Sequence, residues 1–452
     1  MILLFVCGLL RAQSPLRPFA AGDRIAFVGN SITEAGYYES YVWLYYMLHF
    51  PERRITVYNL GIGGDRAKNI LDRLDDDVFH REPTVIALTF GMNDSGYFEF
   101  LRSDADSTAK ARLADCYQQF LGIEQKLKAY TGARKILFST SPYDETMSNK
   151  NNLFPGKSAL MEKIVAFQEK AARENRWGWV DLFHPMTEIE QREQKKDSAF
   201  TLTGPDRIHP GNMGHFVMAT LFLKAQGLAG GAVAGMEIDA AAHTVTRADN
   251  CTITGLSADG HSLQFDYLAH SLPFPADSLS RSPGNPQRQA DALKVIPFET
   301  AFNQERLAVK GLKAGSYKLT IDGHVIGEYT HEALEKGINL AVLPHTPEYQ
   351  QAMGVLLLNE ERMAVEAKLR AYYWLQFDFF RGRGMMYADD QAAMDSVNSA
   401  AGKDWAVASK RDNYKTARYA AVRAGWQKQM EAIINEIYVA NKPLKRKVKL
   451  EW

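Results

Sequence analysis

Between Ile25 and about Leu228, short β-branched or apolar runs alternate with longer amphipathic stretches, and no other feature of the chain restricts its fold as tightly. The runs are Ile25 to Val28, Thr56 to Asn59, Thr84 to Phe90, Lys135 to Ser139 and Trp179 to Leu182. Between them lie segments of helical period, such as Ala111 to Tyr130, which spaces Leu113, Tyr117, Phe120, Ile123 and Leu127 along one face. That alternation predicts an α/β domain, a parallel sheet covered by helices on both faces. Ligands of such sheets gather beyond the carboxyl ends of the strands, so the residues that follow each run are the ones to inspect for chemistry.

The pattern breaks after the helical stretch Asn212 to Ala225. Gly227 to Gly235 is rich in glycine and alanine and reads as a linker, which bounds a first domain at residues 15–228. Residues 236–345 carry short strand-like runs, and Asp322-Gly323 between Leu319 to Ile321 and Val325 to Ile326 is a hairpin signal, so a small β-rich module is expected there. Within it, the prolines and serines of Ser271 to Gln289 suggest an exposed loop. Residues 346–452 read as helical, with the aromatic cluster Tyr372, Tyr373, Trp374, Phe377, Phe379 and Phe380 either packing helices or lining a sugar groove. Lys442 to Lys449 reads as a solvated basic end. At 452 residues and 46% hydrophobic, the chain can bury more than one core.

Lysine plus arginine and aspartate plus glutamate number 53 each, so no net field draws a polyanion, and nucleic acid is not an expected partner. Met1 to Leu10 is apolar and runs into Arg11 to Ser14, which reads as a secretory signal over residues 1–14 and predicts an exported protein, periplasmic or secreted. The run is too short to span a bilayer. Beyond Cys7, the distant Cys116 and Cys251 make neither a disulfide framework nor, with any histidine, a zinc spacing, and both are expected as buried thiols.

Four blocks follow the runs. The first strand ends in Gly29-Asn30-Ser31-Ile32-Thr33, which sets a serine just past a buried strand. A serine becomes a nucleophile only beside a base and donors for the oxyanion. The second ends in Gly61-Ile62-Gly63-Gly64-Asp65, where glycines let the backbone turn tightly and present an N–H. The third runs into Gly91-Met92-Asn93-Asp94, which offers a carboxamide donor at the same sheet edge. Before the last helix, Asp206-Arg207-Ile208-His209 has the three-residue spacing that lets a carboxylate reach its own histidine across a turn. Each block alone is weak: a Gly-Asn-Ser turn, a glycine turn or an Asp/His pair is usually structural.

Together and in this order, the blocks resemble the motifs of the SGNH hydrolases, also called GDSL esterases and lipases, over roughly residues 22–226. The resemblance implies a flavodoxin-like three-layer fold with a five-stranded parallel sheet. It makes Ser31 the nucleophile, His209 the base and Asp206 its orienting partner, with Ser31, Gly64 and Asn93 as the oxyanion hole and neither metal nor organic cofactor. Asn30 departs from the family's usual aspartate before the serine, outside the triad. Arg66, Tyr143 and Arg207 are further candidates, for contact with substrate. His184 and His215 read as capped or packed histidines.

A small-molecule or polysaccharide ester is the expected substrate. No long apolar lid interrupts the first domain, which weighs against long acyl chains, and for an exported enzyme with an added β module the resemblance implies O-acetyl groups on a carbohydrate. A lysophospholipase or general short-chain esterase is the alternative among enzymes, and a glycan-binding or scaffold protein with a vestigial hydrolase domain the alternative outside them.

Overall fold

The five runs of the first half form strands in which no side chain is exposed, as the interior of a parallel sheet demands. In the computed structural model, which describes residues 16–259 and 261–452, they are β1 (Arg24–Gly29), β2 (Thr56–Gly61), β3 (Val85–Leu88), β4 (Arg134–Phe138) and β5 (Gly178–Val180). All pair in parallel, in the order β2-β1-β3-β4-β5. The expected signal over residues 1–14 lies outside the described residues.

Alternate side chains of each strand feed two cores, because successive residues point to opposite faces. Ile25 and Phe27 join α2 (Tyr37–His49) and α7 (Asn212–Ala225) on one side. Ala26 and Val28 join α3 (Ala67–Arg73), α4 (Ala105–Ala129) and α5 (Lys157–Glu174) on the other. The short α1 (Ser31–Glu34) follows β1 directly, and α6 (Phe183–Gln194) follows β5. This is the three-layer arrangement expected.

The β-rich module is a sandwich. One sheet has the order β13-β10-β6-β7, from β6 (Ala234–Asp239), β7 (Thr244–Asp249), β10 (Glu305–Lys310) and β13 (Ile338–Asn339). The other has the order β12-β11-β14-β9-β8, from β8 (Cys251–Ala258), β9 (Ser262–Ala269), β11 (Ser316–Ile321), β12 (His324–Thr330) and β14 (Arg446–Glu451). Met236, Ile238, Leu307 and Val309 of the first sheet meet Phe265, Leu319, Val448 and Leu450 of the second in one core. The predicted Asp322-Gly323 hairpin joins β11 to β12, with φ of +50° and +81° at its two central residues. The small helix α9 (His331–Lys336) packs on β10 and β12, while α8 (Phe298–Phe302) turns Phe298 and Phe302 into the core of the first domain.

Two expectations fail here. Lys442 to Lys449 is not a solvated end: it leads into β14, which pairs with β11 on one side and β9 on the other. Val448 and Leu450 point inward while the lysines alternate outward, a period-2 pattern that the high charge of the segment hides. The region 346–452 is therefore helical only to Ala440 and ends as a strand of the preceding module. Ser271 to Gln289 is not an exposed loop either. Leu272 and Phe274 pack with Phe216 and Phe298 in the first domain's core, and Asp277, Asn285 and Gln289 are buried with hydrogen-bond partners.

The helices α10 (Pro347–Trp374), α11 (Gln391–Ala401), α12 (Trp405–Ala417) and α13 (Ala420–Ala440) pack in two directions. Val355, Leu356, Ile433 and Ile437 extend the core around α2. Tyr372, Trp374, Leu375, Phe377, Phe379 and Phe380 form a separate core with α11 and α12, so the aromatic cluster packs helices. That second core also takes in one residue of the first domain, Ile62.

Candidate active site

The four blocks converge at the carboxyl edge of the parallel sheet. Ser31 is the first residue of α1, where backbone N–H groups lack intrahelical acceptors. Asn30 caps that helix through Oδ1, which accepts from Ile32 N at 3.0 Å, so a carboxamide performs the cap that a carboxylate would. Ser31 Oγ lies 2.8 Å from His209 Nε2, and His209 Nδ1 lies 2.6 Å from Asp206 Oδ2. Asp206 Oδ1 accepts the backbone N–H groups of Ile208 and His209 at 3.0 and 2.9 Å, which closes the turn that presents the imidazole. Partial burial works against the Asp206 anion, yet the His209 hydrogen bond and charge and those two N–H groups hold its pKa below the usual carboxylate range. The side chains of His209 and Asp206 are 48% and 37% exposed, so the line of three opens directly to solvent.

The second and third blocks form the opposite wall. Gly64 has a φ of +88° and open space where a Cβ would stand, so glycine is required by the backbone rather than by crowding. Gly61 is required by crowding: a Cβ there would meet Glu34 N at 2.0 Å. Asn93 donates Nδ2 to Asp65 O at 2.9 Å and accepts from Tyr97 OH on Oδ1 at 2.5 Å, which fixes its amide orientation and leaves one N–H of Nδ2 over. Asp94 staples the two loops, its carboxylate accepting from Ala67 N at 2.8 Å and Gly91 N at 2.9 Å.

Two buried cations that the sequence did not single out hold this wall from behind. Arg73 pairs with Asp65 and Asp77, each at 2.7 Å, and donates to Leu60 O and Gly29 O. Lys157 donates to Met92 O, Ser95 Oγ and Gly96 O around the Asn93 turn and sits 4.0 Å from the Tyr97 ring, with burial pulling its pKa down to about 7. Nothing local marks either residue, because their partners lie on loops that only the folded sheet brings together.

Of the three substrate-contact candidates, Arg66 alone is exposed, at the start of α3 beside Gly64. Arg207 is fully buried and spends its guanidinium on Asn151 O, Asp144 O and Met147 O, so it builds the loop that carries His209 and does not face a ligand. Tyr143 is also buried, donating to Asn152 O and accepting from Phe154 N. His184 is held by Asp181 at 2.8 Å, and His215 is buried between Tyr37 and Tyr38. Among the described residues, no cluster of His, Cys, Asp and Glu could hold a metal ion, and no helix is long and apolar enough to cross a membrane.

A parallel-sheet hydrolase fold with these motifs at its strand ends defines a class, and comparison agrees: the family model described as GDSL-like Lipase/Acylhydrolase family matches residues 27–216. The chain belongs to that family and is a carboxylic ester hydrolase. A second family model, described as Diltiazem deacetylase C-terminal helical domain, matches residues 353–442. The chain is similar throughout to the solved structure of a gut microbial diltiazem-metabolizing enzyme, with 43% identity, a TM-score of 0.94, and 96% of this chain and 98% of that one covered. It is also similar to an acetylxylan esterase of Geobacillus stearothermophilus, 24% identical over 225 residues, which are 46% of this chain and 95% of that protein.

Proposed function

We propose that this esterase removes O-acetyl groups, with Ser31 as nucleophile, His209 as general base and acid, and Asp206 as the group that orients the imidazole and stabilises its charged form. The continuous line from Ser31 Oγ to His209 Nε2 at 2.8 Å and from His209 Nδ1 to Asp206 Oδ2 at 2.6 Å carries this reading. His209 takes the Ser31 proton as Oγ attacks the ester carbonyl. The resulting oxyanion is met by the N–H groups of Ser31 and Gly64 and by the remaining Asn93 Nδ2 hydrogen. His209 then protonates the departing alcohol, and water, activated by the same base, releases acetate from the acyl serine.

The acetyl group is supported by what one relative is called, an acetylxylan esterase, and by the match of residues 353–442 to a family model described as Diltiazem deacetylase C-terminal helical domain, beside the likeness to a diltiazem-metabolizing enzyme. A carbohydrate ester is the first substrate reading. A small acetylated aromatic drug is the second, favoured by the 43% identity that extends through the helical domain. The test is acetate release from acetylated xylo-oligosaccharides and from diltiazem, with Ser31→Ala as the blank. Turnover of one and not the other selects the substrate class. Wild-type turnover by Ser31→Ala removes the assignment altogether.

A further inference from the structure

The proposed oxyanion donors all come from the first domain, yet one of them is held by the last. Gly63 has both backbone groups engaged. Its N–H donates to Glu34 Oε2 at 2.7 Å, three residues beyond Ser31, and its carbonyl accepts the indole N–H of Trp374 at 2.9 Å. Trp374 is the last residue of α10, just before the helix widens into a π turn over Leu375–Phe380. The Gly63 carbonyl and the Gly64 N–H belong to one planar peptide and point in opposite directions. A donor fixed on that carbonyl therefore fixes the line along which Gly64 N–H points, and polarises the peptide so that this N–H donates more strongly.

The rest of the loop is gripped by the same helical region. Arg370, one turn before Trp374, donates to Gly61 O at 3.1 and 3.2 Å. Ile62 is fully buried in the core that α10 forms with α11 and α12. Lys410 of α12 stands 4.7 Å from the Trp374 ring and 3.8 Å from Glu34, closing the bracket from the far side. We infer that Trp374 is a positioning residue of the catalytic centre, and that the C-terminal helical region serves the reaction by setting the Gly63–Gly64 peptide for the oxyanion. The inference rests on the proposed role of Gly64 N–H.

A buried indole needs an acceptor wherever it lies, so the contact alone would also suit simple packing. The test separates the two. Trp374 is replaced by benzothienylalanine, which keeps the ring and substitutes sulfur for the N–H, and by Phe as a second variant. In both, kcat and KM for acetyl ester hydrolysis and affinity for an alkyl boronic acid, which forms a tetrahedral anion on the serine, are measured beside the melting temperature.

Loss of a whole oxyanion donor costs about 100- to 1000-fold. A donor that stays but loses its orientation is expected to cost about 10-fold in kcat, with KM within about 2-fold of wild type. Boronate affinity should fall by the same factor as kcat, and the benzothienylalanine protein should melt near the wild-type temperature. Wild-type kcat in that protein overturns the inference, as does a fall in kcat with unchanged boronate affinity. Ser31→Ala is run in parallel: if it retains activity, the serine mechanism fails, whereas an inactive Ser31→Ala beside a fully active Trp374 isostere defeats this inference alone.

Discussion

Replacing Arg73 by Met should cost this protein about 3–5 kcal/mol at pH 8 and noticeably less at pH 5. Arg73 is 1% exposed and bridges Asp65 and Asp77, both at 2.7 Å and essentially without access to water. The two carboxylates do not suffer equally when the guanidinium leaves. Asp77 keeps Arg370 at 3.2 Å and Arg81 at 3.3 Å, so its charge stays compensated. Asp65 has no second ion-pair partner among the described residues, and the penalty for stranding a buried charge falls on it.

Burial pushes the Asp65 carboxyl up and Arg73 pulls it back; without Arg73 the rise is larger. A carboxyl whose folded pKa lies above its unfolded value binds a proton more tightly when folded, so its contribution to stability falls as pH rises above the unfolded pKa. Because the Asp65 carboxyl is already pushed up to about 7 with Arg73 in place, the difference between wild type and Arg73→Met should stay level below that pH and widen above it, by at most about 1.4 kcal/mol per unit. Urea unfolding of both proteins from pH 5 to 9 measures it, and Asp65→Asn placed on top of Arg73→Met should recover part of the loss and flatten the slope. A loss below about 1 kcal/mol, or one independent of pH, would refute the reasoning.

Three further outcomes follow from the same geometry. Asn93→Ala should lower kcat about 100- to 1000-fold, while Tyr97→Phe, which frees Asn93 Oδ1 but keeps the bond from Nδ2 to Asp65 O, should cost about 10-fold or less; steady-state kinetics on one acetyl ester checks the order. His49 is buried against Tyr45 at 4.0 Å, and burial pulls its pKa down to about 3, so it must lose stability as pH falls from about 6.5 toward 3, at up to about 1.4 kcal/mol per unit. His49→Phe should show a shallower decline in melting temperature over that range, and a parallel decline would defeat the point. Truncation after Gly230 should give insoluble protein, because it strips Leu272, Phe274, Val355 and Ile437 from the core around α2; a soluble, active fragment recovered by gel filtration would contradict this.

The first domain was legible because its information is local. A buried parallel strand is a short apolar run, and the residues just past it lie at the carboxyl edge of the sheet, so the meeting of Ser31, Gly64 and Asn93 could be read off strand ends, while His209 was read from its three-residue spacing to Asp206 before α7. What stayed hidden is long-range. Arg73 and Lys157 look like ordinary helical cations until the loops they hold are folded over them. Arg207 was a candidate for substrate contact because it lies two residues before His209, but its guanidinium turns inward onto Asp144 O, Met147 O and Asn151 O, on a loop far upstream that only the fold brings to it. β14 was missed because alternate lysines mask an inward Val448 and Leu450, and because its sheet partners lie more than 100 residues upstream.

The same long-range logic accounts for the position of the C-terminal helices. β2 is an edge strand, and its outer side presents backbone groups that no sixth strand pairs. α10 supplies side chains in place of that strand: Glu366 Oε1 accepts from Asn59 N at 3.2 Å, Arg370 donates to Gly61 O, and Trp374 donates to Gly63 O. These residues are four apart, so one face of one helix follows the edge from mid-strand to the loop beyond it. A sixth strand would have satisfied the sheet and stopped at its end. A helix continues past β2 to Gly63, and so the element that closes the sheet edge also reaches the peptide that carries the Gly64 N–H.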